Sequence, residues 1–380
     1  MINLVLDTNI LHQEGIDSGR MKVLRMLIDS GIVKLYIPEI VKREFCSKRI
    51  SSIRELLDKA LNNFKSAHKK IESECKIKAA LTSIEVETRG VLESVESGVN
   101  KEFSNWEKSF GVEILPFIPE DISIVLDDYF NGSGAFKSIK NRDDIPDSMI
   151  HTSVCRLAKS VDQVCLVIKD GTFKKCMENH PKVEVFESLS DVFQLQSIEN
   201  HISNGNLKSY FEGRNFSKLI CRYLVTQKEL ISDIYVPDGN VSNTDIIGID
   251  VYNAEVNFPS SDCIRDVHIT NFYSISKKEF TAEISFITFA PVHFISDYGS
   301  YLELERDNSR DVDMDSMNGE GICDLYETHQ AKFSGSIEFS LSEDLDFEQI
   351  ISLTKNLCGG DSRINVSLDI ETAELLDGIA

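Results

Sequence analysis

Two periodicities of apolar residues divide the chain into a first part that alternates strands with helices and a second part made mainly of strands. In the first part, four short apolar runs predict strands: INLVL (2–6), KLYIP (34–38), VCLVI (164–168) and VEVF (183–186). VCLVI is apolar throughout, as expected of a parallel strand covered on both faces. Strands that alternate with helices predict an α/β fold, here a three-layer α/β/α sandwich with a central parallel sheet.

The helices between these strands carry apolar stripes with the 3.6-residue period. One helix is predicted to begin at Asp17 or Ser18 and to stop at Gly31, and its stripe consists of Met21, Leu24, Leu27 and Ile28. Another follows Pro146, with a stripe of Ile150, Val154, Leu157 and Ala158. Residues 47–110 are rich in Lys and Glu and contain no proline, so they predict two long helices inserted in, or projecting from, the α/β domain. The segment KSAHKKIESECKIK is either a solvated helix face or a basic lip beside an active site.

From about residue 233 the period changes to two. FSGSIEFSL (333–341) and RINVSLDIE (363–371) alternate apolar and polar residues, which predicts half-exposed antiparallel strands. DFEQIISLTKNL (346–357) predicts a helix between them, ended by Gly359 and Gly360. This part is therefore predicted to be mainly antiparallel β, arranged as a sandwich.

These patterns predict two domains in a chain of 380 residues. The first is the α/β domain at 1–195, with the helical insertion at 47–110. A helical connector at 196–230 leads to a β-rich domain at 231–380.

Composition predicts a cytoplasmic protein that does not enter membranes. The start shows no secretory-signal pattern, and the longest mostly apolar stretch, ISFITFAPVHFI, is shorter than the roughly 18 residues of a membrane helix. The nine cysteines are scattered without a CxxC pair, which predicts free thiols and no zinc site.

The net charge of −22 is concentrated in the second half of the chain. Residues 1–196 carry 27 Lys and Arg against 30 Asp and Glu, whereas residues 197–380 carry 13 against 32. The first half can therefore present a local basic path to phosphates. The acidic second half is an improbable platform for nucleic acid, and it suggests a partner with a basic surface.

Four isolated carboxylates stand where ligands of open α/β sheets gather, at the carboxyl ends of the strands. Asp7 follows INLVL, and Asp170 follows VCLVI after one lysine. Glu44 lies in the helix that starts after KLYIP, and Asp147 opens the helix before VCLVI. Because clustered carboxylates repel one another, a cation is expected to neutralise them, and oxygen ligands suit Mg²⁺ or Mn²⁺. Such ions activate water and stabilise the leaving oxygen in phosphodiester cleavage.

Each acid also has a structural interpretation. Asp7 can form an Asx turn at the end of a strand, and Glu44 can be an exposed helix residue. Asp144 can cap the following helix with Asp147 as its capping-box partner, and Asp170 can cap the helix GTFKKCM. These alternatives make a folded scaffold without catalysis a competing hypothesis.

Four segments in this order, VLDTNIL, IPEIVKREF, DIPDSMIHTSV and VIKDGTF, resemble the four acidic motifs of PIN-domain nucleases. The resemblance covers roughly residues 1–195, and the helical insertion is similar to that of a bacterial subgroup. It implies a metal-dependent nuclease, usually an endoribonuclease, that leaves a 5′-phosphate and a 3′-hydroxyl, with DNA as the less expected substrate. It also implies that the metal-binding and catalytic acids are Asp7, Glu44, Asp147 and Asp170, with Thr8 or Asn9 orienting them and Asp144 in support.

The last motif departs from the family pattern. Many members carry Ser or Thr two residues before the final aspartate, where this chain has Ile168. Thr172 can supply a hydroxyl from the other side, or a second metal binds weakly. The choice between one metal and two stays open.

Basic residues flank two of these acids. These residues are candidates for positioning phosphates. For the first group, a flexible surface loop without a binding role is an equally good interpretation. The first group precedes Asp147 and consists of Lys137, Lys140 and Arg142; the second follows Asp170 and consists of Lys174 and Lys175.

The segment DVDMDSMNGEGI (311–322) begins like a calcium loop but fails as one. Ser316 replaces the turn glycine, and Ile322 stands where the bidentate glutamate belongs. An acidic hairpin loop is the better interpretation.

Three functional hypotheses follow. The first is a Mg²⁺- or Mn²⁺-dependent ribonuclease whose acidic β-rich domain regulates it or recognises a protein partner. The second is a non-catalytic adaptor with a PIN-like scaffold. The third is a nuclease effector in antiviral defence, or a toxin, whose activity is switched by its C-terminal domain. This third hypothesis rests on family analogy alone. A homodimer is compatible with each.

Overall fold

The computed structural model describes residues 1–71, 76–202, 205–306 and 310–379. The chain forms two compact units. Unit 1 contains Met1–Ile16 and Leu24–Ile198, and unit 2 contains Asp17–Val23 and Glu199–Ala380.

Unit 1 is built around a parallel sheet of five strands. The strands are β1 (Ile2–Leu6), β2 (Val33–Pro38), β3 (Glu113–Leu115), β4 (Val164–Val167) and β5 (Val183–Phe186), and their order across the sheet is β3-β2-β1-β4-β5. Each neighbouring pair is parallel. The predicted α/β fold with a central parallel sheet is confirmed. The apolar runs predicted four of the strands and missed β3, which has only three residues.

Fourteen α-helices occur in the described part of the chain. In chain order they are α1 (Thr8–Glu14), α2 (Gly19–Asp29), α3 (Glu39–Lys70), α4 (Lys76–Ser109), α5 (Pro119–Asn131), α6 (Ile145–Ser160), α7 (Gly171–Glu178), α8 (Leu189–Phe193), α9 (Gln196–Ile202), α10 (Gly205–Phe211), α11 (Arg214–Thr226), α12 (Lys228–Ser232), α13 (Tyr298–Glu305) and α14 (Phe347–Lys355). No described helix is long and apolar enough to cross a membrane.

The helical insertion is an antiparallel pair, α3 and α4, held together by ion pairs and aromatic packing. Lys42 Nζ lies 2.6 Å from Glu107 Oε2, and Arg49 Nη2 lies 3.0 Å from Glu102 Oε1. The rings of Phe45, Phe103 and Trp106 pack in series beneath them. In KSAHKKIESECKIK the Lys65, Lys69 and Lys70 side chains are exposed, which is the solvated face; residues 72–75 lie outside the described residues.

Unit 2 is built on one large sheet. Its strands are β6 (Tyr235–Val236), β7 (Val241–Ser242), β8 (Asn253–Asn257), β9 (Arg265–Ser274), β10 (Glu279–Asp297), β11 (Asp313–Met317), β12 (Ile322–Leu341) and β13 (Ile364–Ile379). The order is β6-β8-β10-β12-β13-β7, with β11 paired to β12 and β9 paired to β10. All pairs are antiparallel except β13 with β7.

The mainly antiparallel β prediction is confirmed, but the predicted sandwich is wrong. Strands β10 and β12 stay paired along their whole length, from Glu279 opposite Ser340 to Asp297 opposite Ile322. The buried face of this single sheet is covered by helices, and Phe211 of α10 stacks on Phe272 with ring centroids 4.5 Å apart. Alternation in the sequence shows that one face of a strand is buried but does not show what covers it.

One buried ion cluster lies in the core of unit 2. Glu327 is 2% exposed and faces inward from β12. Its carboxylate accepts hydrogen bonds from Nε (2.7 Å) and Nη2 of Arg310, and its Oε2 lies 2.6 Å from Nε2 of the buried His329. This carboxylate is therefore fully engaged by structural partners.

The structure also bears on the acidic segment 311–322 and on the cysteines. The segment 311–322 forms the acidic hairpin that was predicted, since β11 pairs with the start of β12. The described cysteines are all free thiols.

Candidate functional site

The first and last of the four predicted acids lie side by side at the carboxyl edge of the unit 1 sheet. Strands β1 and β4 are parallel neighbours, with Leu6 opposite Val167. Asp7 follows β1 and donates its main-chain N–H to the carbonyl oxygen of Val167 at 3.1 Å. Asp170 follows β4 by two residues. The sheet topology itself therefore brings these carboxylates to one edge.

Helices α3 and α6 supply the other two acids. The hydroxyl of Thr8, itself 2% exposed, donates to Oε2 of Glu44 at 2.6 Å and fixes the orientation of that carboxylate. Asp147 lies in the first turn of α6. Its charge interacts with those of Asp7, Asp170 and Glu44. All four predicted acids thus belong to one electrostatic cluster.

Two members of the cluster are poorly compensated carboxylates. Burial raises the pKa of Asp7 to about 6, against hydrogen bonds from the main-chain N–H groups of Thr8 and Asn9 that lower it. Burial, followed by repulsion from Asp7 and Asp170, raises the pKa of Asp147 to about 7. Each acid makes its neighbour harder to ionise, because like charges are close together in a partly desolvated site.

Asp170 has two structural partners. Its Oδ1 caps α7 by accepting the N–H groups of Thr172 at 2.9 Å and Phe173 at 2.8 Å, and its Oδ2 accepts Nζ of Lys137 at 3.0 Å. Burial opposes its ionisation, but the hydrogen bonds from Phe173 and Lys137 outweigh burial and lower the pKa of Asp170. Asp170 therefore caps its helix, as the structural interpretation expected, and also reaches the cluster.

Three of the four residues predicted to support the acids act in different ways. Thr8 acts through its hydroxyl, whereas Asn9 and Thr172 each contribute a main-chain N–H to a carboxylate. The side chain of Asn9 is exposed. Ile168, two residues before Asp170, directly follows β4 and is fully buried in the core.

Asp144 holds the loop that carries Lys137. It stands at the N-cap position of α6, yet its side chain makes no capping hydrogen bond. Its Oδ2 accepts the main-chain N–H of Lys137 at 2.7 Å and Nδ2 of Asn141 at 2.8 Å. The capping interpretation of Asp144 is wrong, because the carboxylate faces the preceding loop. Asp143 beside it is exposed.

The predicted basic residues separate into two groups. Lys137 reaches the acids, and Lys140 and Arg142 lie exposed in the same loop. Lys174 pairs with Glu187 and, at 3.8 Å, with Glu178, so the structure places its charge away from the cluster. Lys175 is exposed on α7.

Lys48 is a candidate that the sequence reasoning missed. It follows Glu44 by one helical turn, is exposed, and its charge lowers the pKa of Asp7. Burial and the charges of Lys48 and Arg49 lower the pKa of the nearby His12 to about 4, so His12 is neutral at pH 7. The spacing of four residues from Glu44 on a helix is the signal that identifies Lys48.

The chemistry of the donors fits a hard divalent cation. All four predicted acids offer oxygen ligands, and burial together with neighbouring carboxylates raises the pKa of Asp7 and of Asp147. Among the described residues, no three such side chains already form a ready-made coordination sphere. The site thus offers the right ligand type without a preassembled shell.

Comparison with known families gives one match. A family model described as PIN domain matches residues 4–173, a span that contains all four acids. Comparison with curated proteins gave no match, and comparison with solved structures gave none either. PIN domains are typically nucleases and generally use divalent metal ions.

Proposed function

Residues 4–173 form a PIN domain, and on that premise we propose that the chain is a Mg²⁺- or Mn²⁺-dependent endoribonuclease. The observation that carries the proposal is the convergence of Asp7, Glu44, Asp147 and Asp170 at one sheet edge, where burial and neighbouring carboxylates raise the pKa of Asp7 and of Asp147. RNA is preferred over DNA, and the products carry a 5′-phosphate and a 3′-hydroxyl.

The four acids would hold the metal, which supplies an activated water and neutralises charge on the phosphate when it is bound. Thr8 orients Glu44 through the 2.6 Å hydrogen bond from its hydroxyl. Lys137 donates to Asp170 at 3.0 Å, and its ammonium group would contact a substrate phosphate. Lys48, exposed one turn after Glu44, gives a second positive charge on the α3 side.

Cleavage assays on single-stranded RNA, single-stranded DNA and duplexes with Mg²⁺ or Mn²⁺ test this proposal. Asp7→Asn should abolish cleavage while the fold is retained. Asp162→Asn is the matched control, because Asp162 is exposed at the opposite, amino end of β4. Activity of Asp7→Asn equal to that of the wild type would contradict the assignment.

A non-catalytic adaptor is the second candidate. It is favoured by the engagement of Asp170 as a helix cap and as the partner of Lys137, which leaves that carboxylate less available to a metal. Calorimetry with Mn²⁺ separates the two functions: a nuclease shows a site that Asp7→Asn lacks, whereas an adaptor shows none.

For unit 2 we propose a docking role toward a basic segment of a protein partner. Glu255, His293, Tyr326 and Asp313 form one cross-strand row on the outer face of β8, β10, β12 and β11. The ring of His293 stacks on Tyr326 at 4.6 Å, and its Nε2 lies 3.7 Å from Asp324. Carboxylates around an exposed tyrosine suit Lys or Arg side chains. A switchable effector in defence, or a toxin, remains compatible with such a surface.

Binding of an arginine decapeptide tests this docking face. Asp313→Asn with Asp324→Asn should weaken binding far more than the control pair Asp233→Asn with Glu348→Gln, whose carboxylates are exposed elsewhere on unit 2. Equal losses in both pairs would show unspecific attraction to the acidic domain and would reject the face.

A further inference from the structure

An exposed aromatic ring and an exposed aliphatic side chain lie together at the carboxyl end of α5. Phe130 is 57% exposed and Ile139 is 62% exposed. Ile139 lies against Gly132, where an added Cβ would come within 2.9 Å of its Cγ1. The Nζ of Lys140 lies over the Phe130 ring, 5.7 Å from the centroid. We call Phe130, Ile139 and Lys140 the Phe130 platform.

The loop that carries the platform is held in a defined conformation. Lys140 has a left-handed backbone, with φ of 58°, and its N–H donates to the carbonyl oxygen of Tyr129 at 2.8 Å. Such a conformation is unfavourable for a residue with a side chain, so the surrounding contacts must impose it. Phe136 anchors the loop from the inside, since it is 5% exposed and its ring packs edge-on against Tyr129 at 5.8 Å.

The same loop reaches the acid cluster. Lys137 donates to Asp170 at 3.0 Å, and Lys140 follows it by three residues, a chain length that spans at most about 11 Å. Asp144 fixes the main chain at Lys137. The segment from Lys137 to Lys140 therefore connects the acid cluster to the platform.

The cations of this loop suit a phosphate backbone. Lys137, Lys140 and Arg142 are exposed in one stretch of six residues; the carboxylates of Asp127 and Asp143 beside them are exposed too, and that of Asp128 accepts the Ser133 hydroxyl at 2.5 Å. Aromatic rings interleaved with cations along a backbone path are the usual means of holding single-stranded nucleic acid.

We propose that the Phe130 platform stacks one unpaired base of the substrate beside the bond that is cut, while Lys140 and Lys137 contact flanking phosphates. The inference rests on the proposed nuclease function and adds a base-stacking subsite to it. A base inside a continuous duplex is covered by its neighbours, so the subsite selects loops, ends and single strands.

The test measures binding of a fluorescent single-stranded RNA by anisotropy in the Asp7→Asn background, where cleavage is absent. Phe130→Ala should weaken binding by about 5- to 100-fold, the range that base stacking on an aromatic ring supports. Phe130→Trp should bind like the parent, whereas Phe130→Leu, which keeps apolar volume without a ring, should behave like alanine. Ile124→Ala is the matched control, because Ile124 is 48% exposed on another face of the same helix.

A set of RNAs with one abasic site at successive positions locates the stacked base. One abasic position should weaken binding to the parent but not to Phe130→Ala, since the two changes remove the same contact. Additive losses at every position would overturn the subsite.

The remaining outcomes separate this inference from the proposed function. Cleavage that depends on Asp7, combined with unchanged RNA binding by Phe130→Ala, overturns the subsite alone. Absence of cleavage and of RNA binding by the wild type overturns both. In another outcome, Phe130→Ala loses self-association, measured by analytical ultracentrifugation, while its RNA binding is unchanged. That outcome would assign the apolar stripe of Ile122, Leu126 and Phe130 to a protein interface and reject the subsite.

Discussion

Asp7→Asn is expected to stabilise unit 1 at alkaline pH in the absence of metal while it removes activity. The folded protein holds the proton on Asp7 more tightly than the unfolded chain does, because burial raises the pKa from 3.8 to about 6. The free energy of unfolding of the wild type therefore falls as the pH rises from about 4 to about 6, and the loss persists above that range. Asparagine has no proton to lose and avoids this penalty.

The pKa difference fixes the size of the effect. The raised pKa of Asp7 lowers the free energy of unfolding by roughly 3 kcal/mol at pH 8. The decrease is about half as large at pH 5, where the carboxyl is mostly protonated in the folded protein but mostly ionised in the unfolded chain. The asparagine amide is a weaker acceptor for the Asn9 N–H than the carboxylate is. The weaker hydrogen bond destabilises the variant by about 1 kcal/mol at either pH. Between pH 5 and pH 8 the wild type should therefore lose between about 1 and 2 kcal/mol relative to the variant. Relief of repulsion on Asp147 acts in the same direction.

Urea unfolding in EDTA at pH 5 and pH 8 measures this difference. Trp106 is the only tryptophan of the chain and is 4% exposed in α4, so its fluorescence reports on unit 1. Added Mg²⁺ or Mn²⁺ should then stabilise the wild type at pH 8, by about 2.7 kcal/mol at a hundredfold excess over Kd, and leave the variant unchanged.

Asp121→Asn is the control, because Asp121 is also buried but has a cationic partner. Its Oδ2 lies 3.2 Å from Nη2 of Arg156 and accepts the N–H of Ile118 at 3.2 Å. That variant should be destabilised at both pH values. A free-energy difference between Asp7→Asn and the wild type that does not grow from pH 5 to pH 8 would refute the claim that Asp7 is an uncompensated carboxylate.

Three further predictions concern single contacts. Thr8→Val removes the hydroxyl that orients Glu44 and should lower metal-dependent cleavage about 10- to 100-fold, with Thr8→Ser restoring most of it in the same assay. Lys137→Ala should raise KM for RNA several-fold, whereas Lys174→Ala should leave steady-state kinetics unchanged because that lysine is paired with glutamates. Glu327→Gln removes the charge of the buried carboxylate that pairs with Arg310 and should destabilise unit 2 by about 3 kcal/mol in calorimetric unfolding.

The elements that carry the acids could be predicted because their signals are local. Two of these signals can be read without any tertiary information. They are a run of apolar residues followed by Asp7 or Asp170, and an apolar helical stripe after Pro146. Parallel topology then implies that residues after neighbouring strands share an edge. The position of Glu44 depends further on α3 beginning at Glu39, right after β2.

Roles that depend on the direction of a side chain could not be predicted. Asp143 and Asp144 are adjacent and chemically alike, yet one is exposed and the other fixes the loop at Lys137. Lys137 and Lys174 both lie near an acid in the sequence, and only the fold shows that Lys174 faces Glu187. Strand β3, with three residues, is too short for a periodic signal.

The contrast between two buried carboxylates supports the proposal that the acid cluster binds a cation. Glu327 is 2% exposed and Asp7 is 3% exposed, so both have lost most of their contact with water. Glu327 receives the guanidinium of Arg310, which replaces the lost solvation with charge. In the described part of the chain, no basic side chain lies within ion-pair distance of Asp7, and its partners are two main-chain N–H groups. Because the fold gives Glu327 an ion-pair partner and gives Asp7 only the more distant charge of Lys48, we expect a positive ion from solution to bind at Asp7.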